Sequence, residues 1–242
     1  MKHFTNPPRT DGFGSQFLTI ICSIVYHKDP FVYTPIKSIE HNYDNDLYFI
    51  DKCEDCMNIK NHFLINDGTA SMLSIQELYN NVIFNIDKYS NDLIRLKSIF
   101  RENKTNPFED TSCRNVAIHI RKQNQDDREV CMQRRRFKGD WEGDLYLNVM
   151  NQLRRKYDNV HFHIHSQKGL NIERYAKHDV SFHIDEDLFT TFTSMVYADV
   201  LMTSRSTLSY SAALLSESSE IYFMKCMKKQ GLVPMADWIV FG

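Results

Sequence analysis

Asn115-Val116-Ala117-Ile118-His119-Ile120-Arg121 decides the fold class of this chain. The run up to Ile120 is β-branched and apolar, the signature of a strand, and Arg121 stands where that strand ends. Toward the C-terminus, helix and strand signals then alternate. After a polar loop, Leu145, Val149, Leu153 and Tyr157 recur every four residues with Met150 beside them. That spacing predicts an amphipathic helix, with Asp144 as its N-cap. Residues 160–164 form the next strand, and the alternation of His161, His163 and His165 reads as a polar, partly exposed strand face. A short helix over 170–177, a strand over 180–184, a helix over 188–197 and a strand over 199–203 follow. Ser206 and Thr207 open another helix through Leu215, and residues 220–224 form a fifth strand. Such alternation implies right-handed crossovers and a mainly parallel sheet. Ligands of parallel sheets bind at the C-terminal edge, so the loops beginning at Arg121, His165, Asp185 and Ser204 are where chemistry is expected.

The N-terminal half is less regular. Asp11-Gly12-Phe13-Gly14-Ser15-Gln16 precedes a helical stretch with Phe17, Ile20, Ile21 and Ile24 on one side. Gly12 and Gly14 allow a ligand to approach the backbone closely at a helix N-terminus. Ser74 and Glu77 match a capping box ahead of Leu78, Val82 and Ile86. A second helix is expected over 91–102, and Asn106-Pro107 reads as a linker. The expected organisation is a smaller N-terminal α/β domain over 1–110 and a C-terminal domain over 111–242.

Composition narrows the function classes. A net charge of −2 over 242 residues argues against a protein that coats nucleic acid or anionic membrane. The N-terminal residues have no apolar core of a signal peptide, and no apolar run approaches the ~18 residues of a membrane span. Six cysteines are too sparse for a disulfide scaffold. Cys53 and Cys56 form a CxxC flanked by His41 and His62, but a second CxxC is missing, so reduced thiols in the cytoplasm are the expectation over structural zinc.

Several side chains then stand out by position. Arg121, at a strand end, has the planar fork that pairs two phosphate oxygens of a diphosphate; a surface ion pair is the plain alternative. Ser204-Arg205-Ser206-Thr207 joins the fourth strand to its helix, where hydroxyls and free N–H groups suit an anion, or merely cap the helix. The loop between these elements, residues 122–143, is long for a structureless connection. Its carboxylates Glu129 and Asp126 are candidate general bases for an incoming hydroxyl. Asp185-Glu186-Asp187 invites a divalent cation, though Asp185 or Asp187 equally suits a helix cap.

Taken together these motifs resemble the GT-B-type fucosyltransferases, a superfamily that includes the α-1,2-, α-1,6- and protein O-fucosyltransferases. Their strand ending in His-x-Arg-Arg is matched by His119-Ile120-Arg121-Lys122, with lysine in place of the second arginine. Their strand, Ser/Thr-rich turn and small-residue helix are matched by residues 199–214, and Asp11-Gly12-Phe13-Gly14-Ser15-Gln16 is similar to their Gly-x-Gly-Asn-Gln segment. The block from Tyr146 to Ser166 also resembles theirs. The resemblance implies a GT-B-like α/β fold whose C-terminal half is a Rossmann-like parallel sheet with helices on both faces. It implies an inverting, metal-independent transferase needing no cofactor beyond its donor, a nucleotide-sugar such as GDP-fucose, and acting on a glycan or glycoconjugate hydroxyl. Donor contacts would come from His119, near the nucleoside, and from Arg121, Ser166, Ser204, Ser206, Thr207, Gly12 and Gly14. Glu129, eight residues after Arg121, falls where the α-1,6 enzymes keep a catalytic carboxylate. A metal-dependent GT-A-type transferase built on Asp185 and Asp187, and a non-catalytic nucleotide- or glycan-binding module, are the competing readings.

Overall fold

The computed structural model describes residues 2–42, 45–108, 112–122 and 141–242, with side chains from 144 onward in the last segment. In chain order the elements are β1 (Phe4–Thr5), α1 (Phe13–His27), α2 (Phe49–Met57), β2 (Ser71–Met72), α3 (Ile75–Val82), α4 (Ser90–Arg101) and β3 (Arg114–Ile120). There follow α5 (Trp141–Lys156), β4 (Val160–Ser166), β5 (Val180–Ile184), α6 (Leu188–Tyr197), β6 (Val200–Met202), α7 (Thr207–Leu215), β7 (Glu220–Met224) and β8 (Ile239–Phe241). The chain forms two compact units. One comprises residues 1–105, 206–216 and 227–237; the other comprises 106–205, 217–226 and 238–242. The first crossing falls at Asn106, beside the expected linker. The return of two C-terminal segments to the first unit has no counterpart in a contiguous division at residue 110.

In the first unit α1 is the central element. Phe17, Leu18, Ile20, Ile21, Cys22 and Val25 are all buried, so the helix is enclosed on every side rather than on one stripe. Two of its polar residues bond back to the helix itself: Thr19 donates to Ser15 O at 3.0 Å and Ser23 to Thr19 O at 2.8 Å. The capping box of α3 forms as the sequence predicts. The Ser74 hydroxyl accepts from Glu77 N, and the Glu77 carboxylate accepts from Ser74 N. The CxxC thiols lie buried on α2. Among the described residues they do not meet His41 or His62 in a metal-ligating cluster.

The second unit is a six-stranded, wholly parallel sheet in the order β5-β4-β3-β6-β7-β8. Val116, Ile118, Phe162, Ile164, Val200 and Met202 share one face by register, and all are buried. Helix α5 covers this face, its buried Tyr146 packing on Phe241 of β8 with ring centroids 5.7 Å apart. The opposite face carries Asn115, His161, His163, His165, Ser181 and His183, and Thr190 and Ser194 of α6 lie over it. Helices on both faces of a parallel sheet make this unit Rossmann-like.

Two local expectations are corrected. Helix α5 begins at Trp141, so Asp144 lies inside the helix and pairs with Arg174 instead of capping. Residues 170–177 hold only a 3₁₀ turn, Ile172–Arg174, too short to count as a crossover helix. The sixth strand, β8, lies beyond the predicted five.

Candidate functional site

The strand order creates a switch point between β3 and β6. From β3 the chain builds outward through β4 and β5; from β6 it builds the other way through β7 and β8. In sheets of this topology the C-terminal ends of the two central strands are the usual ligand position. The residues there are Arg121 and Lys122 after β3, and Thr203, Ser204 and Arg205 after β6.

This edge is pinned by side-chain hydrogen bonds. The Ser204 hydroxyl and His119 Nδ1 lie 2.8 Å apart across the switch point, both residues buried. Behind them the Tyr146 hydroxyl lies 3.0 Å from His119 O and 3.2 Å from Thr203 O, reaching both central strands from α5. Thr203 is tied to the next strand, its hydroxyl donating to Tyr222 O at 3.1 Å and accepting from Met224 N at 3.2 Å. On the other flank Ser166 donates to Ile120 O at 2.7 Å, and Gln167 Oε1 accepts from Lys122 N at 2.8 Å. Burial, with the charge of Arg121 and the neighbouring His165 adding to it, pushes His119 down to about 3. Near neutral pH it is an uncharged imidazole, able to hydrogen-bond without adding to the positive charge of Arg121. Arg121 itself is half-buried beside this hydrogen-bonded edge.

The remaining expected site residues are distributed as follows. Glu129 and Asp126 lie outside the described residues. Ser206 and Thr207 belong to the first unit, where Ser206 N-caps α7 by accepting from Leu208 N at 3.2 Å. The Thr207 hydroxyl is 2.9 Å from that of Ser15. Gly14 packs the start of α1 directly on the start of α7: a Cβ there would come within 2.4 Å of Leu208 Cα and N. Its missing side chain is taken up by helix contact, reinforced by Ser211 donating to Gly14 O at 2.9 Å. Gly12 sits at the N-cap of α1, where a Cβ would come within 2.6 Å of His41 Nδ1.

A second polar centre emerges on the histidine face of the sheet. A groove of about 420 Å³ opens there, lined by Phe108, Asn115, His161, His163, His183 and Glu186 among others. Its lining includes neither Arg121 nor Ser204. Glu186 lies at its end, its Oε1 2.9 Å from His183 Nδ1 and its Oε2 3.1 Å from His165 Nδ1. The hydrogen bond from His165, aided by the charge of His183, pulls Glu186 down to about 2. His163 is pushed down to about 3 by burial first and by its histidine neighbours second. Within the acidic triplet the three side chains part company. Asp187 caps α6, accepting from Phe189 N and Thr190 N, Asp185 accepts from Lys168 N at 3.0 Å, and only Glu186 joins the histidines. The sequence shows each of these residues but not their meeting. The signal that could have found it is the His-x-His-x-His run of β4 set against His183 of β5.

No family model and no curated protein matches the chain. Among solved structures it is similar to POFUT1 in complex with GDP-fucose, at a TM-score of 0.35 and 14% identity over 100% of this chain and 73% of that one. The complex of POFUT1 with GDP gives a TM-score of 0.34 and 13% identity over 100% and 73%. The apo form gives 0.34 and 13% over 100% and 74%. At these scores the likeness concerns chain path alone and carries no chemistry to this chain. No described helix is long and apolar enough to cross a membrane.

Proposed function

We propose that this chain is a glycosyltransferase of the GT-B kind that binds a nucleotide-sugar at the β3–β6 switch point. The observation that carries the reading is that Arg121 and Ser204 directly follow the two central strands at the switch point, with neutral His119 2.8 Å from the Ser204 hydroxyl. A diphosphate at this edge would meet one guanidinium and the hydroxyl-bearing end of β6. The donor class, a GDP-sugar such as GDP-fucose, is taken from the resemblance of the sequence motifs.

Transfer follows from that placement. The acceptor hydroxyl attacks the anomeric carbon on the side opposite the diphosphate. The bond to the diphosphate oxygen breaks, and configuration inverts. Glu129 or Asp126 takes the hydroxyl proton. Arg121 stabilises the charge that develops on the leaving group, so a divalent cation is not required for this step. Glycan or glycoconjugate hydroxyls are the acceptors under this reading.

The test is thermal stability with GDP, UDP, ADP and CMP in turn, EDTA present throughout. A nucleotide at 100 times its Kd stabilises by ~2.7 kcal/mol, worth several degrees. A shift with GDP alone is the expected result. A shift with UDP alone would move the donor to UDP-sugars, and no shift with any nucleotide would overturn the reading. Arg121→Ala should then lose turnover by ~10²-fold or more. Nucleotide binding with neither transfer nor donor hydrolysis would identify a non-catalytic binding module.

A further inference from the structure

We propose that His165, His183 and Glu186 form a binding site for one divalent transition-metal ion of the zinc class. The three come from adjacent elements. His165 and His183 are cross-strand neighbours on β4 and β5, and Glu186 is two residues beyond the end of β5. Their ligating atoms all lie within 4.8 Å of one another. The closest pairs, at 2.9 and 3.1 Å, both involve the carboxylate. Donors bound tetrahedrally at ~2.0–2.1 Å from zinc sit roughly 3.3–3.4 Å apart, so the two carboxylate–imidazole pairs need spread only slightly, while the imidazoles, stacked with centroids 4.5 Å apart and planes 17° apart, must turn toward each other to share one ion.

Behind the cluster the contacts continue through the sheet: His183 Nε2 lies 3.2 Å from His163 Nδ1, and His163 Nε2 lies 3.0 Å from Asn115 Oδ1, which leaves His183 Nδ1 facing the Glu186 carboxylate.

The surroundings are those of a metal centre. The chain Asn115–His163 orients His183 from behind, and the Thr191 hydroxyl donates to Glu186 Oε2 at 3.2 Å, the kind of outer contact that fixes ligand geometry. His165 is 1% exposed, and its Nε2 has no partner among the described residues. Two imidazoles and one carboxylate suit zinc and its neighbours over magnesium or calcium. His183 and Glu186 also line the groove, so a fourth position is open to water or to a ligand entering it. The site lies on β4 and β5, with His165 the cross-strand neighbour of His119, and its test by metal uptake needs no nucleotide and so does not depend on the donor proposal.

The experiment is zinc titration of the chelator-stripped full chain, by calorimetry and by thermal unfolding. The expected result is one zinc per chain with a raised Tm. Glu186→Gln and His183→Gln should each weaken binding by more than ~10-fold, and Thr191→Val, acting through Glu186, by about 10-fold. Circular dichroism of each metal-free variant verifies that it is folded. Cobalt(II) should give ligand-field absorption without the intense near-ultraviolet band of a thiolate ligand. Cys53→Ser should leave binding unchanged. Absence of stoichiometric uptake would overturn the proposal. So would uptake that survives Glu186→Gln and His183→Gln, or that is lost in Cys53→Ser.

Discussion

The two faces of the parallel sheet are built from the same strands by opposite chemistry. On one face Val116, Ile118, Phe162 and Ile164 are buried beneath α5; on the other Asn115, His161, His163, His165 and His183 are held by hydrogen bonds to one another and to Ser181, Asp179 and Glu186. Apolar burial is non-directional and scales with the area removed from water. Imidazole contacts are directional, and each ring nitrogen needs a partner of the right kind. The first face therefore supplies stability, and the second supplies a surface whose chemistry depends on angles and protons.

The largest effect should come from the apolar face. Phe162→Ala removes a fully buried ring and is expected to cost 3–5 kcal/mol, roughly, in denaturant unfolding. Phe162→Leu should cost well under half of that. An alanine variant that loses less than about 1 kcal/mol would mean that this face is not the stabilising one.

A smaller loss is expected where the apolar face carries its own directional contact. Tyr146→Phe keeps the ring against Phe241 but deletes the hydroxyl facing His119 O and Thr203 O. The expected cost is about 1 kcal/mol. Nucleotide stabilisation should fall with it if the hydroxyl holds the switch point in shape. An unchanged nucleotide response would confine Tyr146 to packing.

The smallest effect sharpens the contrast from the other unit. Glu54 is 4% exposed, and its Oε1 accepts from the Tyr33 hydroxyl and Ile36 N, each at 2.8 Å. Its Oε2 is buried with no partner among the described residues. Burial raises its pKa above the ordinary 4.5, the reverse of Glu186, which two imidazoles hold at about 2. The folded state thus binds the Glu54 proton more tightly than the unfolded chain does. That contribution is full below the ordinary value and is lost as pH rises through the folded one. Glu54→Gln should flatten this part of the pH–stability profile, read as Tm between about pH 4 and pH 8. The same slope in both proteins would show that Glu54 does not titrate abnormally.

Much of the second unit was legible because its cues are local. The β-branched run at Val116–Ile120 and the four-residue spacing of Leu145, Val149 and Leu153 each report on neighbours within a few residues, as does the hydroxyl start of α7 in the first unit. The capping box at Ser74 and Glu77 was legible for the same reason. The start of α5 was not, since Asp144 is a good cap residue by type but lies inside the helix. Strand β8 was missed because three residues, Ile239, Val240 and Phe241, are too few to show a period.

The identity of β3 to β7 and of α1, α3, α4, α5, α6 and α7, and the polar character of Arg121, Ser204 and the β4 histidines, were determined by the sequence alone. These depend on side-chain type and on spacing along a short stretch of backbone. Only the tertiary structure decided which strands became neighbours. Strand order put Arg121 and Ser204 on either side of one switch point, and register set His165 level with His183. It also returned residues 206–216 and 227–237 to the first unit, where Gly14 meets Leu208. The physical reason is that pairing between distant strands and helices is fixed by the summed burial and hydrogen bonding of the whole core, a quantity that no local window contains.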